Sequence, residues 1–410
     1  MHSQTVRPET RKPENLAEAR GLIRSIYARV TGIDVVPIAE CSGRCLADDV
    51  VAPVDLPRFD AAAMDGYAIR SADLDSEGRA SLRIVDEIAA GHPSPIRIEE
   101  GEAARIYTGA MIPPGADLVV VQESCRRVGN RVSVRALPVG KPHVRLRGED
   151  VLAGQRVLTA GAWIAPAQLA LLQALQVHSI PVLRRLRIAL VSIGDELLEG
   201  QATLKPGDIL DSNRPMLRSW LERTGCEVTD LGIMPDAPEA LLARLVNPAA
   251  EVDLIVTSGS ASVGPADHMS RLIGRRGYLE FWKLGIRPGK PVGLGDIDDC
   301  PILALPGNPM AAAVCFTLIG RWLIARLSGD ASARPESLVL PLGRPVSTKG
   351  NYLQVLAGRL GSSDGGTTAE PLEIQGSASL MALAGAEGLI LLPGDQTNFA
   401  AGDRVEFVRI

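Results

Sequence analysis

The stretch Asp253-Leu254-Ile255-Val256-Thr257-Ser258-Gly259-Ser260-Ala261-Ser262-Val263-Gly264-Pro265-Ala266-Asp267-His268 decides the fold. Its first half is a short apolar run rich in branched residues, the pattern of a buried strand in a parallel sheet. Its second half is small residues and glycine, after which Pro265 and Asp267 open a predicted helix. A strand that runs through such a loop into a helix N-terminus leaves backbone N–H groups unpaired, and these suit a phosphate or oxyanion. An ordinary βα turn, in which glycine only relieves crowding, is the competing reading of this stretch taken alone.

Working outward, the pattern alternates. Strands are predicted at Arg187–Ser192, Glu227–Met234, Asp253–Ser258, Phe281–Ile286 and Ile302–Leu305, and helices at Arg214–Thr224, Pro238–Val246, Ala266–Arg276 and Pro309–Ser328. This alternation predicts a central doubly wound α/β domain with a mostly parallel sheet over 185–330. After it, 331–410 reads as a compact C-terminal β domain, with runs at Ser337–Leu342, Tyr352–Leu356, Glu387–Leu392 and Arg404–Arg409. Before it, 47–145 reads as a β-rich domain of short runs broken by glycine and proline. Those runs are Ser81–Ile88, Gly101–Ile106, Asp117–Gln122 and Arg131–Ala136. Helical spacing over Leu16–Val30 and Ala165–Val177 suggests a non-contiguous linker domain, 14–46 with 146–184. Residues 1–13 read as a disordered tail. The predicted class is therefore multidomain, α/β plus β, with helical linker segments.

Composition narrows the function. With 410 residues, two to four domains are expected, and 46% hydrophobic with 22% charged residues describes a globular protein. A net charge of −5 argues against non-specific nucleic-acid binding. Of six cysteines only Cys41 and Cys45 lie close, and no nearby histidines complete a zinc site, so all six are expected to be reduced. The polar start, His2 to Glu14, shows no secretory signal. The longest apolar run, Met310 to Gly320, sits inside a helix read as amphipathic, short of the ~18 residues of a membrane span. A cytoplasmic protein is expected, with no membrane contact.

In an open α/β sheet, ligands bind beyond the carboxyl ends of the strands. The unusual residues fall at those ends: Gly194-Asp195-Glu196, then Pro235-Asp236, then Ser258, Gly259, Ser260, Ser262, Gly264 and Asp267. Lys283, Arg287 and Lys290 follow the fourth strand, and Pro306-Gly307-Asn308-Pro309 the fifth. Ser212 or Asn213 is a candidate cap for the first helix. Glu196, Asp236 and Asp267 are candidate ligands of a hydrated Mg²⁺. The cations and backbone donors suit a phosphate or another tetrahedral anion. Together they suit phosphoanhydride chemistry, where catalysis is largely positioning and charge stabilisation. Asp195 as a simple cap and Asn308 as a turn former remain open. No P-loop and no Gly-x-Gly-x-x-Gly follow the first strand, which removes two nucleotide-binding rivals.

Seven segments in order, MDGYA (64–68), TGAMIPPGAD (108–117), RLRGED (145–150), GDEL (194–197), DSN (211–213), TSGSASVG with Asp267, and RPGKP followed by LPGNP, carry a resemblance over nearly the whole chain. The sequence resembles the molybdopterin molybdenumtransferases, the MoeA type related to the E domain of gephyrin. The resemblance implies a MogA-like α/β domain and an elongated homodimer with its active site in the cleft between subunits. The reaction it implies is insertion of molybdate into adenylylated molybdopterin, with divalent-metal-dependent release of AMP. Contact with other molybdenum cofactor biosynthesis proteins is also implied. Positions matching the family are Asp60, Thr108, Asp150, Glu196, Asp236, Asp267, Lys283, Arg287, Lys290, Pro306 and Pro309. The implied roles put Glu196, Asp236 and Asp267 around nucleotide and metal, Lys283 and Arg287 on phosphate or molybdate, and Asp60 and Asp150 on the partner subunit's side.

Four departures from the family pattern, over six positions, stand out. Ala61-Ala62 stand where Asn-Ser is usual, Ser260-Ala261 where Gly-Val is usual, Gln354 where an arginine is usual, and Arg287 where lysine is usual. Losing an amide and a hydroxyl removes donors from a loop expected to line the cleft, and losing an arginine removes a fixed cation. Two other readings stay open: a molybdopterin-binding scaffold without turnover, and a nucleotide-processing hydrolase on the same α/β domain.

Overall fold

The computed structural model describes residues 13–30, 32–135, 143–200, 203–237, 241, 244–245, 249, 251–259, 268–330, 334–363 and 365–410. They form two compact units. Residues 1–12 of the expected tail 1–13, most of the expected helix Pro238–Val246 and the loop 260–267 lie outside the described residues; Pro13 is described and buried.

The first unit holds the N-terminal helix, Gly43–Cys45 and Leu183–Ile410. Helix α1 (Leu16–Ile26) starts where the Asn15 side chain accepts the Glu18 N–H and the Glu18 carboxylate accepts the Glu14 N–H. It stops short of the expected Val30, because Tyr27 turns extended and its hydroxyl donates to the Gly295 carbonyl. Leu16, Ala19 and Ile23 are buried in the core of this unit. The second expected linker helix, observed as Pro166–Ala174, buries Leu172 in a separate core of the other unit. The expected pairing of these two helices in one linker domain is therefore corrected: apolar faces with similar spacing went to different cores.

The central sheet is built from β1 (Arg187–Ile193), β2 (Glu227–Met234), β3 (Leu254–Ser258), β4 (Gly277–Trp282), β5 (Gly293–Ile297) and β6 (Cys300–Leu305), in the order β2-β1-β3-β6-β5-β4. The first four in that order pair in parallel, while β5 pairs antiparallel with both β6 and β4. The expected fourth strand, Phe281–Ile286, ends at Trp282, and β5 was not expected. Its Gly-Leu-Gly-Asp-Ile sequence has one β-branched residue, Ile297, among two glycines and an aspartate that disfavour strands. The correction has a useful consequence: two reversals leave β4 running the same way as β6, so its carboxyl end shares an edge with those of β1, β2, β3 and β6. Helices α2 (Asn213–Arg223) and α3 (His268–Arg276) feed opposite faces, for Leu217 and Leu221 join one core cluster, whereas Met269, Leu272 and Ile273 join the other.

Helix α4 starts at Pro309 and continues through a π-turn at Phe316–Gly320 to Ser328. Every residue from Met310 to Gly320 is buried, so the expected amphipathic pattern is corrected to that of a core helix. The helix is long and apolar enough to cross a membrane by composition, but 83% of its most apolar window is buried inside the protein. Gly329 then closes it in a left-handed conformation. The C-terminal sheet orders Ile286–Arg287, Leu353–Ser363, Gly388–Leu392, Arg404–Arg409 and Ser337–Pro341, with Gly366–Pro371 folded onto Leu353–Ser363. The strand expected to end at Leu356 runs on to Ser363, because it pairs along its whole length with neighbours on the same sheet.

The second unit comprises Val35–Ser42 and Leu46–Val182. Its six-stranded sheet orders Leu118–Val121, Gly66–Ile69, Glu102–Ile106, Arg79–Ile88, Arg131–Arg135 and Cys125–Val128. The four expected strands recur there within one or two residues at their ends, while Gly66–Ile69 and Cys125–Val128 were not expected. All six cysteines are free thiols.

Candidate functional site

In the first unit, several of the expected residues follow the carboxyl ends of strands in the central sheet. Beyond β1, Gly194 donates its N–H to Met234 at the end of β2. The Glu196 carboxylate folds back over Gly194 so closely that a Cβ there would lie 2.8 Å from Oε2. Asp195 is not a helix cap: its Oδ1 accepts the Asp236 N–H at 3.1 Å and ties the β1 and β2 loops together. Glu196 forms no ion pair with any described residue.

Beyond β3, Ser258 is buried and Gly259 adopts φ +90, with its N–H donating to Leu305. A Cβ on Gly259 would sit 2.1 Å from the Ile193 carbonyl oxygen, so glycine is required on two counts. Ser260, Ser262, Gly264 and Asp267 lie outside the described residues. Pro306, Gly307, Asn308 and Pro309 follow β6 at this edge, where the Asn308 amide donates to Ser377 Oγ. The expected helix caps Ser212 and Asn213 are corrected. Neither caps α2; the Asp211 carboxylate does so, accepting the N–H groups of Asn213 and Arg214.

Beyond β4, Lys283 is exposed with φ +119, a conformation that costs a non-glycine residue on the order of 1–3 kcal/mol. Arg287 and Lys290 are also exposed, and none of the three cations forms an ion pair with a described carboxylate. Lys290 instead donates to the Tyr352 hydroxyl and lies over its ring at 5.0 Å. Arg287 stands in parallel register with Gln354 of the C-terminal sheet. Both line a cavity of about 480 Å³ with Lys290, Pro306, Asn308, Gln375 and Ser377, and its described lining holds no carboxylate. Cations without a carboxylate partner and neutral donors around an acid-free cavity have the chemistry that suits an oxyanion. Gln375 and Ser377 gave no signal in the sequence, since neither sits in a periodic or glycine-rich segment. A larger concavity on the second unit mixes Asp75 and Glu77 with Arg79, Arg126 and Arg135, and no single sign of charge prevails there.

The second unit brings the MDGYA, TGAMIPPGAD and RLRGED segments and the residues just before MDGYA together. Ala62 donates to Ala110, Gly109 to Ala62, Ile112 to Asp60 and Ala63 to His143. The Asp60 carboxylate accepts the Arg147 N–H at 2.7 Å. Thr108 donates both its N–H and its hydroxyl to Asp65 Oδ1, which holds that carboxyl below its usual range. Asp60, Thr108 and Asp150 are all exposed on this patch. Ala61 and Ala62 are buried and pair with Arg145 and Val144. Of the two, Ala62 packs into the core of the unit.

A divalent metal is tested by the donor set. Among the described residues no group of three or more acidic, histidine or cysteine side chains is gathered around one point, so there is no closed protein cage. Glu196 and Asp236, all-oxygen donors on adjacent loops, fit an ion that keeps its waters and shares a phosphorylated ligand, as Mg²⁺ does.

The fold and this edge define a multidomain protein built around a molybdopterin-binding type of α/β domain. Family models agree segment by segment: "MoeA N-terminal region (domain I and II)" matches 14–175, "Probable molybdopterin binding domain" 189–326, and "MoeA C-terminal region (domain IV)" 339–410. The molybdopterin molybdenumtransferase of Haemophilus influenzae is 33% identical over 400 residues, 95% of this chain and 97% of that one. Molybdopterin molybdenumtransferase 2 of Mycobacterium tuberculosis is 34% identical over 381 residues, 90% and 93% of the two chains. The crystal structure of the molybdopterin biosynthesis moeA protein from Pyrococcus horikoshii superposes with a TM-score of 0.83 at 26% identity, covering 97% of this chain and 100% of that one. The chain belongs to the MoeA family of molybdopterin molybdenumtransferases.

Proposed function

We propose that the protein inserts molybdate into adenylylated molybdopterin and releases AMP, acting as a cytoplasmic homodimer in molybdenum cofactor biosynthesis. The observation that carries this reading is the division of charge along one sheet edge: Glu196 and Asp236 beyond β1 and β2, Lys283, Arg287 and Lys290 beyond β4, and an acid-free cavity beside them. Lys283 and Arg287 orient the anion, Lys290 and the Pro306–Pro309 loop complete its receptor, and the Ser258-Gly259 backbone approaches the phosphate. Glu196 and Asp236, with the Asp267 that the resemblance adds, would hold a hydrated Mg²⁺, and such an ion would supply charge neutralisation at the phosphates. Asp60 and Asp150 supply the partner subunit's side of the site, as the resemblance implies, and Thr108 is exposed beside Asp65 on the same unit.

The test is purified protein with Mg²⁺, molybdate and adenylylated molybdopterin. Stoichiometric AMP with molybdenum cofactor is expected, and no AMP would overturn the enzymatic reading in favour of a binding scaffold. Sedimentation at micromolar concentration tests the dimer, for which a monomer mass is the contrary result.

A further inference from the structure

Asn213, the first residue of α2, sits where the polar ends of two strands meet, and only 6% of it is exposed. Both of its amide hydrogens are committed: Nδ2 donates to Ser258 Oγ at 2.8 Å and to the Gly307 carbonyl at 2.7 Å. The orientation of the amide follows from these partners, for a flipped side chain would set oxygen against the Gly307 oxygen. Its Oδ1 is buried and makes no hydrogen bond with a described residue. A side chain that leaves an acceptor unpaired in order to place two donors is kept for the donors. Those donors join the loop after β3 to the loop after β6. The two loops approach closely, since a Cβ on Gly307 would lie 3.7 Å from the Gly259 Cα, and Gly259 donates to Leu305.

The next residue anchors the amide. Arg214 binds Asp230 through Nη1 at 2.6 and 2.7 Å, Asp211 through Nε at 3.1 Å, and also Glu199. The start of α2 is thus fastened to β2 and to the segment after β1, and Asn213 projects from this fixed point.

We infer that Asn213 is a positioning residue that sets the gap between the Ser258-Gly259 and Pro306-Gly307 loops. It aligns their backbones on the phosphorylated substrate without touching the substrate itself. This rests on the transferase reading for its catalytic consequence, but the spacing of the loops is a property of the protein alone. Packing volume and donor geometry make opposite rankings of two variants. Asn213→Asp keeps the volume and turns an oxygen toward Gly307, whereas Asn213→Ala only removes the tie.

The experiment compares full-length wild type, Asn213→Ala, Asn213→Asp and Ser258→Ala by hydrogen exchange of the Gly259 amide and by kcat and KM for molybdate. Asn213→Ala is expected to speed Gly259 exchange at least tenfold and lower kcat at least tenfold with KM for molybdate within twofold. Asn213→Asp is expected to be worse than alanine in both. Wild-type exchange in Asn213→Ala, or an aspartate variant that outperforms alanine, overturns the inference. Should Asn213→Ala fail to fold, Ser258→Ala decides through the same amide: faster exchange supports the tie and wild-type exchange refutes it. If wild type releases no AMP, the transferase reading falls, while the exchange result still decides the clamp.

Discussion

Arg287 and Gln354 are partners in a two-residue parallel ladder between Ile286–Arg287 and Leu353-Gln354, and both side chains line one acid-free cavity. A guanidinium therefore stands beside a neutral amide where two strands meet. Replacing Gln354 by arginine adds a second fork within reach of the same anion. A charge-assisted hydrogen bond contributes about 1.5–3 kcal/mol, and exposure reduces this toward the lower end. Gln354→Arg is expected to tighten molybdate or tungstate binding about tenfold, and Arg287→Gln to weaken it by a similar factor. Calorimetric titration checks both, and unchanged affinity in the pair would remove the cavity from the site.

Lys283 joins function to strain. Glycine at this position relieves the φ +119 backbone and removes the ammonium. Lys283→Gly is expected to raise stability by about 1 kcal/mol while turnover falls at least tenfold. Thermal unfolding and AMP release measured on one preparation check the two effects. A variant with full turnover would place Lys283 outside the chemistry.

Glu196→Gln and Asp236→Asn keep shape and remove charge. Each is expected to raise the half-saturating Mg²⁺ concentration about tenfold, as loss of about 1.4 kcal/mol of ion binding requires. Turnover followed across a Mg²⁺ titration checks this. Wild-type Mg²⁺ dependence in both variants would exclude these carboxylates as ligands.

Asp253 holds the opposite edge of the sheet. Burial opposes its ionisation, yet two hydrogen bonds from Arg184, at 2.7 and 2.9 Å, and one from the Arg187 N–H more than offset this, so its pKa lies below the ordinary value. The contribution of this carboxylate is fully present above the unfolded pKa of about 4 and is lost as pH falls through the lower folded value. Asp253→Asn is expected to cost about 3 kcal/mol at neutral pH, since it leaves Arg184 without its charge partner. It should also flatten the loss of stability below about pH 4. Urea unfolding at pH 7 and pH 3 checks both, and an equal acid dependence in wild type and variant would be the contrary result.

Gly259→Ala meets the Ile193 carbonyl and a left-handed backbone together. A loss of about 2 kcal/mol or more is expected, with β1 and β3 forced apart at the site edge. Denaturant melts check the stability, and a variant as stable as wild type would show that this loop can re-form around a side chain.

Much of the α/β unit was legible in the sequence. The spacing of Val, Ile and Leu in β1, β2, β3 and β6, with glycine and proline between them, is local information that strand and turn chemistry read directly. Because parallel strands all end at one edge, strand order also predicts that Glu196, Asp236, Lys283 and Pro306 follow strand ends on one edge, although β2 and β4 lie at opposite ends of the six-stranded sheet.

Tertiary structure decided the rest. Whether Gly293–Ile297 forms a strand depends on the pairing offered by β4 and β6, since glycine brings no preference of its own. The neighbourhood of Arg287 and Gln354, and the two bonds from Asn213 to Ser258 and Gly307, join segments distant along the chain. Local propensity extends over a few residues, whereas register and long-range hydrogen bonds are set only when whole sheets and their loops close on one another.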